Sequence, residues 1–496
     1  MKLFKKIAGF ILAFAMILAI AMPSVVMAAD TTYKLTLQNT VEGHTYEVYQ
    51  VFSGTLSTKN NKKVLSYLKW GSGVKADAYT ETAKAKAETL TDETTARAFA
   101  KELVNQKKLS AATKTVQSTT GTTEIAGLAA GYYLVKDTDS SLANKNDSYT
   151  AYILQVVGDA TTSVKSDVPS SEKKVKDIND STDTETTEWQ DAADWDIGDE
   201  VPFKIEGTLP SNYDKYKKYT LKFHDKEEEG LTFKSETVKV FIDNTEITEG
   251  FRVVVNPEDN DTFDVVFDNL KTTSAKNNSV IRVEYKSVLN EKANLGKPGN
   301  KNTMYMEFSN NPNNEQGGEF GKTPDDTVIV FTYKVEVNKV DEQGNKLTGA
   351  EFTLEKKIKG TKDTWKAITK VSGTAGDVFE FKGIDDGEYR LTETRAPANY
   401  DKLSDPIYFT VTAGHVDGAN PYLDTFSGNI TSGNVGTMTF TANKDSGILS
   451  TKVVNKPGSS LPETGGMGTT ILYVAGAVMI LAAGAFLVMQ KKAEDK

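Results

Sequence analysis

Apolar and polar side chains alternate one for one along short runs of this sequence, and Gly, Asn, Asp or Pro closes each run. Tyr33-Lys34-Leu35-Thr36-Leu37, Val238-Lys239-Val240-Phe241-Ile242 and Phe379-Glu380-Phe381 are examples. A period of two marks a strand with one face in a core and the other in water. Repeated over most of the chain, it restricts the fold class to all-β, built as tandem immunoglobulin-like sandwiches. Residues 92–106 break the pattern. There Ala96, Phe99, Leu103 and Val104 recur at helical spacing, which predicts a helical insertion packed on the first sandwich. The patterned region is too long for one core and predicts about three domains. Ser/Asp/Pro-containing residues 163–171 and Gly/Pro/Asp-containing residues 317–326 have linker composition, giving domains 30–168, 170–323 and 328–457.

The two ends carry different signals. Lys2, Lys5 and Lys6 precede an apolar run and small residues at Ala28 and Ala29, the layout of a cleaved signal peptide over residues 1–29. Residues 471–489 carry no charge and are followed by Gln490-Lys491-Lys492, which predicts a transmembrane helix with a basic cytoplasmic tail. Just upstream lies Leu461-Pro462-Glu463-Thr464-Gly465. Pentapeptide, apolar helix and basic tail, together residues 461–496, resemble the cell-wall sorting signal of Gram-positive surface proteins. The resemblance implies a sortase whose cysteine thiolate attacks the Thr464 carbonyl and expels Gly465. It also implies an amine, from cell-wall peptidoglycan or from a neighbouring subunit, that takes over the acyl group. The mature protein would then be secreted and wall-anchored.

The sequence of 496 residues has no cysteine, three histidines and a formal charge of −10. Thiol nucleophiles, thiolate metal sites and disulfide staples are therefore excluded. An acidic surface argues against nucleic acid as a partner. Neither a Gly-x-Ser-x-Gly elbow nor a phosphate loop nor metal-spaced histidines occur, so the reading is non-enzymatic, with no cofactor and no metal. The acidic turn Glu258-Asp259-Asn260-Asp261 has carboxylates that could bind calcium, but it lacks EF-hand spacing and reads more simply as a solvated loop.

In the third domain, alternation places Tyr389, Leu391 and Glu393 on one face, Val335, Val337 and Lys339 on another, and Leu449, Val453 and Asn455 on a third. An acid, an amine and an amide thus point into apolar layers, where unpaired charge is costly. The segment from Tyr389 through Arg395-Ala396-Pro397 to Tyr400 resembles the E-box of collagen-adhesin B-type (Cna-B) domains, the building blocks of Gram-positive pilins. That resemblance implies a spontaneous Lys339–Asn455 isopeptide bond promoted by Glu393. Burial would hold the amine neutral and the acid protonated.

The second domain repeats the arrangement: Tyr219, Leu221, Phe223 and Asp225 share a face, as do Met304, Met306, Phe308 and Asn310. It resembles the A-type (Cna-A) pilin domain, which implies Asp225 as the promoting acid and Asn310 as the amide. Ser171-Glu172-Lys173-Lys174-Val175-Lys176 offers three lysines. Matching Lys174-Val175 to Lys339-Val340 selects Lys174, although Lys173 shares its face with Val175. In the first domain, Gly127 to Thr138 reads as a diverged E-box strand with Asp137 as its acid, but Asn39 stands where a lysine is needed. No such bond is expected there, and this domain should be the least stable.

Together the chain resembles a sortase-assembled backbone pilin. The resemblance implies Lys165, in the stretch ending domain one, as the acceptor for Thr464 of the next subunit. The alternative is a monomeric wall-anchored adhesin or accessory pilin that uses the same domains as a stalk for a host surface ligand.

Overall fold

A computed structural model describes residues 31–494 apart from 60–61, 165–166, 183, 186–187, 316–317, 360–363, 369, 373–375, 434–437 and 459–466. Strands predominate, arranged in three successive sandwiches. The period-two pattern appears directly in the burial of Tyr333–Val340, where inward and outward residues alternate until both terminal residues are covered.

In the first sandwich, a three-stranded sheet of Gly121–Leu128, Tyr33–Thr40 and Ala160–Ser163 closes over Leu35, Leu37, Tyr46, Val48, Tyr133 and Val135. A larger sheet centred on Thr45–Lys59 and Gly131–Asp137 faces it. On that sheet's other side lie the helices Ala83–Glu88 and Glu93–Asn105. The second helix is the expected one. Asp92 caps it by accepting from the Thr95 amide at 2.8 Å, satisfying one of the free amides of the first turn.

The second sandwich pairs a sheet containing Leu221–Glu227 and Asn300–Ser309 with one containing Ser170–Val175, Glu200–Thr208 and Val280–Leu289. Its core is rich in aromatics, among them Phe203, Phe223, Phe263 and Tyr285. Among the described residues 318–326 the chain is not a spacer: Phe320–Lys322 and Asp326–Phe331 both pair with Asn300–Ser309. The second sandwich therefore runs to Phe331, and Thr332 is all that separates its last strand from Tyr333–Val340. The backbone amides of this stretch are taken up in a sheet, which its linker-like composition did not reveal.

In the third sandwich, Tyr333–Val340 lies in the middle of a five-stranded sheet between Val378–Ile384 and Ile448–Val454. It runs parallel to Ile448–Val454. Gly387–Arg395 is central in the facing sheet. Beyond the sandwiches, Met467–Glu494 is one helix whose segment Thr470–Lys492 is long and apolar enough to cross a membrane.

The sandwiches touch end to end. Asn310 donates its side-chain amide to the Leu142 and Asp147 carbonyls of the first domain at 3.0 and 3.2 Å. Its own carbonyl accepts from the Tyr149 amide at 2.8 Å. Between the second and third, Gly296 and Gly447 approach so closely that a Cβ on Gly296 would lie 2.2 Å from the Gly447 nitrogen. Both have positive φ, of 70° and 65°, so glycine is required there by conformation and by space.

Candidate functional site

Lys339 is fully buried because it takes its turn in the inward series of Tyr333–Val340. Its Nζ donates to the Val453 and Val340 carbonyls at 2.9 and 3.2 Å. Burial disfavours the ammonium more than Glu393 and Asp341 restore it, and the pKa falls to about 8. Glu393 arrives from the facing sheet, in Gly387–Arg395, and is also buried. Both its oxygens accept from Asn455 Nδ2, at 3.0 and 3.1 Å, and one accepts from the Leu403 amide at 2.8 Å. Asn455 follows Ile448–Val454, and its amide closes on the Val340 carbonyl at 3.1 Å. Its Oδ1 is buried without a partner. All three residues read from the sequence of this domain therefore meet at one end of a parallel strand pair.

The second domain brings together a different set from the expected one. Lys173, fully buried, is the lysine that enters the core; its Nζ bonds to Asp225 and to Tyr285 Oη, the latter at 2.6 Å. Lys174 points to the opposite face and pairs with Asp191 at 2.6 Å. The match to Lys339 failed because strand parity, not the neighbouring residue type, decides the face. Asn310 is buried but forms the contact to the first domain described above. In register, Asp225 faces Met304, so Asn310 lies six residues along the strand, about 20 Å away at the usual rise. Asn302 takes the place instead. Its Nδ2 donates to Tyr285 Oη at 2.9 Å and to Glu227 at 3.3 Å, and its Oδ1 is buried and unpartnered.

Tyr285 joins the cluster, donating to Asp225 at 2.7 Å. Burial raises the Asp225 carboxyl against the pull of Lys173, and the same burial lowers the Lys173 amine, so both partners are driven toward their neutral forms. Burial also carries Glu227 up to about 8, helped by Asp225. Tyr285 and Asn302 were missed in the sequence. Asn302 does share parity with Met304 and Met306, but only the register distinguishes it from Asn310.

In the first domain the acid Asp137 is buried as expected, and Asn39 is exposed with a φ of 59°. Where a lysine would stand against the acid there is His44, whose Nδ1 and Nε2 lie 2.7 and 2.6 Å from Asp137 and Asp147. Burial opposes charge on the ring, but the two carboxylates outweigh it and raise its pKa to about 9. The signal peptide, Lys165 and Leu461 to Gly465 lie outside the described residues.

Residues 333–421 match a family described as a prealbumin-like fold domain (SpaA), and residues 453–496 match the LPXTG cell wall anchor motif. Over 436 residues the chain is 26% identical to the trypsin-resistant surface T6 protein of Streptococcus pyogenes serotype M6, covering 74% of this chain and 75% of that one. The structure of the T6 backbone pilin of that organism, described as modular and three-domain, superposes with a TM-score of 0.58 at 21% identity, over 88% of this chain and all of the other. The full-length major pilin SpaD of Corynebacterium diphtheriae superposes with a TM-score of 0.51 at 19% identity, over 87% and 99%. Tandem β-sandwiches and a prealbumin-like third domain make the chain similar along most of its length to these Gram-positive pilins, and the LPXTG anchor motif with its apolar helix marks a cell-wall-anchored surface protein.

Proposed function

We propose that this chain is the shaft subunit of a surface pilus, that it crosslinks itself through Lys339–Asn455 and Lys173–Asn302 amide bonds, and that sortase links Thr464 of one subunit to Lys165 of the next. The observation that carries the first part is the same in two sandwiches. A fully buried lysine shares a pocket with a buried acid and with an asparagine whose carbonyl oxygen has no partner. An unpaired carbonyl in a dry site is costly for a merely structural asparagine and apt for an electrophile.

In the third domain the neutral Lys339 Nζ attacks Cγ of Asn455. Glu393, whose two oxygens already face Nδ2, takes the proton shed by the attacking nitrogen as the tetrahedral adduct forms and passes it to Nδ2. The C–Nδ2 bond breaks as the adduct's oxyanion re-forms the carbonyl, ammonia leaves, and the new N–C bond remains. Folding supplies the proximity that replaces an external catalyst. In the second domain Tyr285, in contact with lysine, acid and amide alike, completes the proton path. Asp137 in the first domain faces an imidazole, which leaves that domain uncrosslinked by this route.

Intact mass of the full chain tests the reading. Two bonds lower the mass by about 34 Da, about 17 for each ammonia lost when an amine displaces an amide nitrogen in a proximity-driven step. A mass equal to that of the unmodified sequence would refute it. Polymerisation is tested separately: Lys165→Ala should abolish the high-mass ladder on the cell surface, and an unchanged ladder would remove Lys165 as the acceptor.

A further inference from the structure

The strand that turns Asp225 into the core turns His224 outward, onto the far face of the same sheet. His224 is still buried there. Asp264 is its direct cross-strand partner, and the loop ahead of that strand returns Asp259 and Asp261 over it. From His224 Nδ1 the nearest oxygens of Asp261, Asp264 and Asp259 are 2.9, 3.2 and 3.3 Å away, and all four atoms lie within 4.8 Å of one another. Asp264 is 98% buried, given its 2% exposure, and its Oδ1, 3.2 Å from His224 Nδ1, has no hydrogen-bond partner among the described residues. Its other oxygen is held by Lys222 Nζ at 2.7 Å, which also reaches Asp259 at 3.1 Å.

Protons alone do not satisfy this arrangement. One N–H on Nδ1 serves Asp261 and leaves Asp264 Oδ1 facing other oxygens. A second proton on the ring would sit on Nε2, which is buried and has no partner. Three carboxylates and one ammonium surround the imidazole, so carboxylate oxygens outnumber the cations beside them and a divalent cation would complete the centre. Tetrahedral ligands on bonds of about 2.1 Å stand about 3.4 Å apart, close to the spacing found around Nδ1. A nitrogen donor among the oxygens favours zinc-like or manganese-like ions over calcium, which takes oxygen ligands.

We propose that His224, Asp259, Asp261 and Asp264 form a binding site for one divalent transition-metal cation, which clamps the 256–262 loop to the central strand of the second sandwich. The site is independent of the crosslinking chemistry. Calorimetric titration of zinc chloride and calcium chloride into chelator-stripped full chain in detergent tests it. The expected result is one saturable zinc equivalent, tighter than calcium. It should be weakened roughly tenfold or more by Asp261→Asn, a rim substitution that spares the core, and likewise by His224→Ala. Zinc should also raise the unfolding temperature of the wild-type chain, and not that of the Asp261→Asn chain. Absence of saturable zinc uptake, tighter binding of calcium, or uptake unaltered in both variants would overturn the proposal. The last result would place the ion at another carboxylate and histidine group, such as Asp177, Asp194 and His415.

Discussion

A single buried lysine can be stapled or merely tolerated, and its pKa separates the two. In Glu393→Gln the third domain should keep its ammonia, so its mass is about 17 Da above that of the crosslinked domain, and it should lose up to about 4 to 5 kcal/mol by the loop-closure estimate for covalent staples. The unreacted Lys339 then titrates. Its folded pKa, about 8 beside Glu393 and lower once that carboxylate is gone, lies below the unfolded value of 10.5, so the unfolded chain binds more protons between those limits. Stability of that variant should therefore rise with pH up to about 10.5 in chemical denaturation. His44 gives the opposite slope in the first domain. With a folded pKa raised from 6.5 to about 9, its stabilisation is complete below 6.5 and is lost as pH climbs through about 9. His44→Gln should flatten that profile, while a profile unchanged by the substitution would show that the ring carries no charge.

Strand parity was legible in the sequence, and strand register was not. Alternation alone turned Lys339, Glu393, Asn455 and Asp225 inward, because on a pleated strand the face of each side chain follows from counting. For the second domain's lysine the alternation did not decide by itself, and the neighbour-matching selected Lys174, whereas Lys173 is the one that enters the core. Asn302 and Asn310 have the same parity, and only the pairing of Asp225 with Met304 tells them apart, a long-range property fixed by turns and core shape. The two asparagines make distinct predictions. Asn302→Ala should abolish the mass loss of the second domain. Asn310→Ala should leave that loss intact but strand the Leu142 and Asp147 carbonyls, costing about 1 to 3 kcal/mol and exposing residues 138–149 to proteolysis. The helix at Glu93–Asn105 was legible because its period differs from everything around it. The strands at Phe320–Lys322 and Asp326–Phe331 were hidden by the turn residues between them.

For the whole molecule, the junctions decide whether three sandwiches behave as a rod. Lys356, fully buried in the third domain, is ringed by Asp385 of its own domain and by Asp196 and Asp180 from the segment leading out of the second-domain edge strand, the latter two at 3.3 and 3.4 Å. Three carboxylates and one ammonium thus meet at a boundary that also holds the glycine contact. Gly447→Ala forces a side chain into a left-handed backbone and into Gly296, at a cost of about 1 to 3 kcal/mol. The expected outcome is a hinge between the second and third domains, seen in solution scattering as a broader distribution of lengths with the crosslink mass unchanged.

The parallel pairing of Tyr333–Val340 with Ile448–Val454 also sets a traction route. In the proposed filament, a tug between the neighbouring subunit and the wall arrives at Tyr333, follows one strand to Lys339, and leaves from Asn455 toward the anchor. With the proposed amide in place, everything from 340 to 454 hangs beside that route like slack rope beside a taut one. Loops there can lengthen, mutate or be clipped without the proposed filament growing longer, which leaves the outward face of the third sandwich free to vary while the tether stays the same length.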